Sequence, residues 1–194
     1  MLIYSTFSLK KLLGLIILST LIFSLPLSAS SLEEGVSAQA KNDYKTALQA
    51  FRQAANNGNA QGQYRLGRMY FDGLGVKSDA MQVVKWYTLA AKQGHAIAMH
   101  QLGAMYKMGI GVSEDRDKAF RWMSQAAQLG NTEAQYQLAG MYKYGDGVAK
   151  DVRQAAKWYK LAADQGRPSA KSKLDQLINK TEGVVDKAYF WLFY

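Results

Sequence analysis

From Ala60 onward the apolar positions fall on two helical stripes that alternate along the chain. Leu66, Met69 and Tyr70 share one face at helical spacing, and after a glycine-rich gap Val83, Trp86, Tyr87, Ala90 and Ala91 share another. Shifting the sequence by 36 residues repeats the pattern without an insertion. Leu66, Leu102 and Leu138 superpose, as do Met69, Met105, Met141 and Tyr70, Tyr106, Tyr142. The second stripe brings Trp86, Trp122, Trp158 and the alanine pairs at 90–91, 126–127 and 162–163 into register. Two helices per unit, each apolar on one face, predict an all-α solenoid of antiparallel helix pairs; one pair alone is too small to bury its own faces.

The polar positions punctuate this pattern. First helices are expected after Asn59, His95, Asn131 and Arg167, because asparagine is a favoured N-cap and Pro168 suits a first helical position. Gly73-Leu74-Gly75 and its counterparts at 109–111 and 145–147 end those helices with residues that accept a left-handed backbone. Asp79, Asp115 and Asp151 then open the second helices, where a carboxylate caps free N–H groups and complements the helix dipole.

Both ends depart from the unit. Asn42 to Gly58 matches a second helix, preceded by a short first helix from Leu32 to Lys41 without the Gly-x-Gly loop. Ala170 and Leu174 align with Ala134 and Leu138, which makes the last helix a lone cap on the stack. The organisation read from the chain is an opening pair at 31–59, full units at 60–95, 96–131 and 132–167, a capping helix at 168–180 and an aromatic tail at 181–194. Residues 1–30 read as a signal peptide: Lys10 and Lys11, an apolar run from Leu12 to Phe23, then Pro26 and Ser28-Ala29-Ser30 as a cleavage site. A retained membrane anchor is the competing reading, since Leu12 to Leu27 falls a little short of a spanning helix; Pro26 and the small residues favour cleavage.

Composition narrows the setting. The chain has no cysteine, which removes disulfides and a lipid anchor on cysteine, so the expected location is a bacterial periplasm or the medium beyond it. Beyond residue 30, 22 Lys and Arg stand against 15 Asp and Glu, a net charge of +7. These cations are spread along the units without an arginine-rich run, and with an export signal they argue against nucleic acid. The charge leaves attraction to an acidic partner or to anionic lipid open.

Three motifs, Ala-x-x-x-Leu-Gly-x-Met-Tyr, Gly-x-Gly-Val-x-x-Asp and Trp-Tyr-x-x-Ala-Ala-x-x-Gly, run from Ala60 to Gly166 and resemble the Sel-one-like repeat (SLR) family of the tetratricopeptide superfamily. Ala139, in place of Gly67 and Gly103, and Met123, in place of Tyr87 and Tyr159, are mild departures. The resemblance implies a right-handed α-solenoid that serves as a protein-interaction scaffold. Among bacterial members it implies roles in host contact, envelope signalling, polysaccharide secretion or immunity against secreted lipase toxins. It also implies that partners lie on the concave face lined by first helices. Carried over by alignment, that face comprises Gln61, Tyr64, Arg68 and Phe71; then Ile97, His100, Lys107 and Met108; then Glu133, Tyr136, Lys143 and Tyr144. These side chains differ between units while the core stripe does not. An aromatic, basic groove of this kind suits an acidic or aromatic-rich segment of another protein, although the tyrosines can equally pack against the next unit.

Nothing in the sequence assembles catalytic chemistry. His95 and His100 stand five apart, off the spacing that aims two histidines at one metal, and no Gly-x-Ser-x-Gly elbow occurs. The periodic Gly-x-Gly follows no strand, so it is loop chemistry. The expectation is a binding protein without enzymatic activity, cofactor or metal. Two readings remain open: a periplasmic or secreted binding module, including an inhibitor or immunity protein whose toxin enters the groove, and an envelope assembly or signalling adaptor. The second draws on Tyr189, Phe190, Trp191, Phe193 and Tyr194, which either cover the end of the stack or dock on a partner or membrane surface.

Overall fold

The caps and stripes form where the sequence places them. The computed structural model describes residues 27–181, with side chains from Ser30 to Asn179. Among these residues the chain forms nine helices: α1 (Leu27–Ala40), α2 (Tyr44–Asn56), α3 (Ala60–Asp72), α4 (Ala80–Lys92), α5 (Ala96–Met108), α6 (Arg116–Gln128), α7 (Thr132–Tyr144), α8 (Val152–Asp164) and α9 (Pro168–Thr181). Each second helix packs on the first helix of its own unit and on that of the next, which makes the array an α-solenoid. The apolar run to Phe23 and the aromatic residues from Tyr189 lie outside the described residues. Helix α1 starts at Leu27, ahead of the Leu32 expected from the apolar pattern, so the anticipated cleavage site after Ala29 or Ser30 falls in its first turn. Serine and alanine fit both a cleavage site and a helical turn, and the apolar pattern alone does not separate the two.

Every interior first helix is capped from its own sequence. Asn59 Oδ1 accepts from Gly62 N at 2.8 Å and Asn131 Oδ1 from Ala134 N at 2.8 Å. In the middle unit His95 takes this role, Nδ1 accepting from Ala98 N at 3.2 Å. A backbone N–H can only donate, so the ring proton sits on Nε2, which donates to Gln61 Oε1 at 2.8 Å. Desolvation lowers the His95 pKa below its ordinary 6.5, partly offset by a backbone hydrogen bond. Burial lowers that of His100 as well, against a hydrogen bond that its ring donates to Gln137.

A histidine pKa lowered by folding means that the folded state prefers the neutral ring. That stability is complete above pH 6.5 and is lost as pH falls through the folded-state pKa. His95→Asn, which installs the cap used by the neighbouring units, should reduce the melting-temperature drop between neutral pH and pH 5, with His100 contributing to what is left. Thermal melts followed by circular dichroism across that interval check it; an unchanged pH profile would exclude His95 as a titrating cap.

The core is the expected stripe. Leu66, Met69, Leu102 and Leu138 are fully buried, and Tyr87, Met105, Met123 and Met141 nearly so. Removing each such side chain from water stabilises the fold by about 1.5–3 kcal/mol. Ala90-Ala91 and Ala126-Ala127 are buried where second helices meet the next unit, and in α8 Ala162 is buried at the same place while Ala163 is half-buried.

The Gly-x-Gly loops hold consecutive units together. The first glycine is the left-handed C-cap, as at Gly109 with φ 67°. The second does more: Gly111 has φ 69°, and a Cβ there would stand 2.4 Å from the Ala80 carbonyl oxygen. Gly75 and Gly147 lie equally tight on the carbonyls of Tyr44 and Arg116. Each loop is thus seated on the start of the preceding unit's second helix, backbone to backbone.

Two buried glutamines complete the packing in a way the apolar pattern does not announce. Gln63 Nε2 donates to Ala55 O at 3.3 Å, and its Oε1 accepts from Gln93 Nε2 at 2.8 Å. Gln135 repeats this with Ala127 O at 3.2 Å and Gln165 Nε2 at 2.7 Å. In the middle unit both partners are apolar, Met99 and Leu129. Buried amides need partners, so the pair changes together.

Candidate functional site

The residues assigned to the concave face differ widely in how free they are. In α3, Tyr64 stacks between Tyr87 (ring centroids 5.6 Å apart) and His95 (4.6 Å). Gln61 is engaged by His95, and Arg68 pairs with Asp72 at 2.9 Å. Phe71, at the end of the helix, is 53% exposed. In α5, Ile97 is exposed and His100 is buried, its Nε2 without a hydrogen-bond partner. Lys107 reaches the loop of the following unit, where it pairs with Asp146 at 2.7 Å, and Met108 is 60% exposed. In α7, Glu133 accepts from Gln137 at 3.0 Å and pairs with Arg167. Tyr136 packs on Tyr159 at 5.5 Å, with the Arg167 guanidinium 4.0 Å from its ring centre. Tyr144 is 71% exposed, and Lys143 lies against its ring at 5.1 Å. The tyrosines one turn into these helices therefore pack laterally, whereas Phe71, Met108 and Tyr144 present free apolar surface.

The structure brings four of the assigned residues to one cavity of about 420 Å³: Lys107, Met108, Tyr136 and Tyr144. Gln61, Tyr64, Arg68, Phe71, Ile97, His100, Glu133 and Lys143 do not line it. Ala104, Gly140, Asp146, Tyr159 and Lys173 do, and the sequence reading had not singled them out. Their signal is visible only across units. Arg68, Ala104 and Gly140 share one register, so the side chain shrinks from α3 to α5 to α7. Leu74, Ile110 and Asp146 share another, and an acid replaces two aliphatic residues in the last loop.

Electrostatics fix the rim. Asp146 is shared by Lys107 and by Arg116 at 2.6 Å. Desolvation pushes its carboxyl up, but the hydrogen bonds from Lys107 and Arg116 outweigh this and hold it below the usual carboxylate range. Burial pushes the Tyr159 hydroxyl up to about 12, with Tyr136 and Tyr144 adding to the rise, so it stays a neutral donor and acceptor. Among the described residues no group of histidine, aspartate and glutamate side chains could hold a metal ion. No helix there is long and apolar enough to cross a membrane. The geometry offers adhesion: exposed apolar side chains, a recess and cations at its edge.

Comparison with known proteins places this arrangement. The Sel1 repeat model matches residues 29–59, 60–95, 96–131 and 132–166, within a residue or two of the units read from the periodicity. A protective antigen present in uropathogenic Escherichia coli strains, which displays an SLR fold, is 34% identical with a TM-score of 0.76 over 80% of this chain; the chain spans 34% of that structure's length. A Sel1 repeat protein from Oxalobacter formigenes is 37% identical with a TM-score of 0.63, covering 66% of this chain and 97% of its own. Helicobacter pylori cysteine rich protein B, at 23% identity and a TM-score of 0.55 over 68% of this chain and 95% of its own, shares the fold. No curated protein matches the chain. Sel1 repeat proteins typically act as protein–protein interaction scaffolds and are generally non-catalytic. With four matched repeats, their caps and their seated glycine loops accounted for, the chain belongs to the Sel1 repeat family.

Proposed function

We propose that this protein is an exported scaffold that binds a segment of another protein along the face formed by α3, α5 and α7. The observation behind this reading is the run of exposed large apolar side chains at the ends of three successive first helices: Phe71, Met108 and Tyr144, 53%, 60% and 71% exposed. Neighbouring apolar side chains left in water on a stable array mark interaction surfaces. The helix caps and core account for folding without them. Export rests on the basic, apolar and small-residue segments of residues 1–30. A periplasmic inhibitor or immunity protein, whose target lies in this groove, is the specific form we favour.

The test is co-purification of partners from the envelope fraction with a Phe71→Ala, Met108→Ala, Tyr144→Ala triple variant. A control triple, Met81→Ala, Leu89→Ala, Leu161→Ala, removes exposed apolar groups from the second helices. Partner recovery should fall by about tenfold or more in the first and stay within about twofold in the second. Equal recovery from both would reject the groove. Tyr64, His100 and Tyr136 are unsuitable targets, because the tyrosines pack on neighbouring rings and His100 is buried, so their replacement also disturbs the array. The same preparation reports export: the mature N-terminus should be Ser30 or Ser31, and an intact Met1 on protein held in the cytoplasm would reject that part.

A further inference from the structure

Within that groove the stretch between α5, α7 and α9 has depth, and its composition differs from the rest. In α3 the register position facing the groove is Arg68, folded onto Asp72. In α5 and α7 the same position is Ala104 and Gly140, and the side-chain volume given up there becomes the cavity of about 420 Å³ between α5, α7 and α9. A Cβ placed on Gly140 would meet nothing closer than Tyr159 Oη, 3.8 Å away, so the floor of the recess is backbone and a neutral hydroxyl. Tyr136 and Tyr144 form its aromatic walls, and Met108 stands at the mouth. This is room for one large apolar side chain together with the backbone that carries it.

The rim selects charge. Lys107 on α5 and Lys173 on α9 line opposite sides. Asp146, also in the lining, is already shared between Lys107 and Arg116. Among the described residues Lys173 has no ion-pair partner. The lining carries two cations against one carboxylate, and Arg116, which shares Asp146, is also paired with Glu114, so Lys173 leaves a positive edge beside the apolar recess, complementary to acidic residues flanking a bulky apolar one.

We propose that this pocket takes a single aromatic or large aliphatic side chain from an extended acidic segment of the partner protein, with Lys173 and Lys107 holding the flanking carboxylates. The proposal rests on the groove reading above and specifies which end of the groove selects the partner. A nucleic acid strand fits less well, because the Asp146 carboxylate lies in the wall and the cations surround one recess instead of following a track.

Fluorescence anisotropy with labelled synthetic peptides tests it on the full chain. The probes are Asp-Glu-Trp-Glu-Asp, the same peptide with leucine or alanine at the centre, and Lys-Lys-Trp-Lys-Lys. The tryptophan and leucine acidic peptides should bind about tenfold or more tighter than the alanine and basic ones. Gly140→Arg, which restores the side chain of the α3 register, and Lys173→Glu should each weaken the tryptophan peptide by about tenfold. Lys85→Ala, on the second-helix face, should leave it unchanged. Lys173→Glu lies at the rim and keeps the test decisive if Gly140→Arg disturbs folding. Equal binding of the tryptophan and alanine peptides, or no loss in Lys173→Glu, would overturn the proposal. So would equal competition by an oligothymidine strand. Peptide binding that emerges only after Phe190→Ser and Trp191→Ser would assign the pocket to the chain's own aromatic segment and equally overturn it. If Gly140→Arg and Lys173→Glu retain the co-purified partner while the Phe71, Met108, Tyr144 triple loses it, the groove stands and this pocket falls.

Discussion

Gly111→Ala should destabilise the protein by about 3–5 kcal/mol, whereas Gly94→Ala should cost about 1–2 kcal/mol. Both glycines have a left-handed backbone, φ 69° and φ 86°. The backbone penalty for alanine is therefore common to the two. The surroundings separate them. A Cβ at Gly94 meets nothing within 4 Å, while one at Gly111 would stand 2.4 Å from the Ala80 carbonyl oxygen and 2.6 Å from its carbon. Those atoms belong to a helix start and cannot swing aside as a side chain would. Accommodating the methyl group means lifting the loop off α4, which loosens the contact between the first and second full units. Urea unfolding followed by circular dichroism gives both values. Equal losses would mean that the loop is not a seam.

Leu102→Ala should cost about 2–5 kcal/mol, with the loss felt across the whole array. Leu102 is fully buried in the middle of the central core cluster, among Tyr87, Met105, Met123 and Leu138. Stability in a stack of this kind comes from each unit and from its contacts with neighbours. A cavity in the central unit weakens the couplings on both sides and should lower the cooperativity of unfolding as well as its midpoint. Leu177→Ala provides the contrast. Leu177 is 6% exposed on the terminal helix α9, so its loss should fray that helix and shift the main transition by less than about 1 kcal/mol. A terminal variant as damaging as the central one would contradict the additive picture.

Much of the fold was legible because its determinants are local. A stripe such as Leu66, Met69, Tyr70 declares a helix face, and Asn131 or Asp115 declares a start, each within one turn of the feature it controls. The Gly-x-Gly spacing was equally plain, but half of its reason was not. Gly147 is needed because Arg116, 31 positions earlier, brings its carbonyl against it, and no local pattern reports such a contact. Gln63 and Gln135 look like surface residues until their partners Gln93 and Gln165 are read beside the Met99 and Leu129 of the middle unit.

The candidate site was less legible for the same reason. Alignment identifies positions that face the groove, yet it does not say which of them have spare surface. His100 shares its register with Tyr64 and Tyr136, but it is 9% exposed. The recess arises from what is missing at Ala104 and Gly140, and a missing side chain draws no attention in a single sequence. Lys173 enters from the capping helix α9, which the repeat pattern treats only as an end to the stack.

In the function proposed above, the face made by the first helices, and not the one made by the second, meets the partner. Site-specific photocrosslinking in cells tests this most directly. A photoreactive phenylalanine analogue is placed in turn at Phe71, Met108 and Tyr144, and separately at Lys85, Arg121 and Lys157, which are exposed on α4, α6 and α8. One crosslinked protein of the same identity is expected from the first three positions and none above background from the others. Crosslinks confined to Lys85, Arg121 and Lys157 would contradict it.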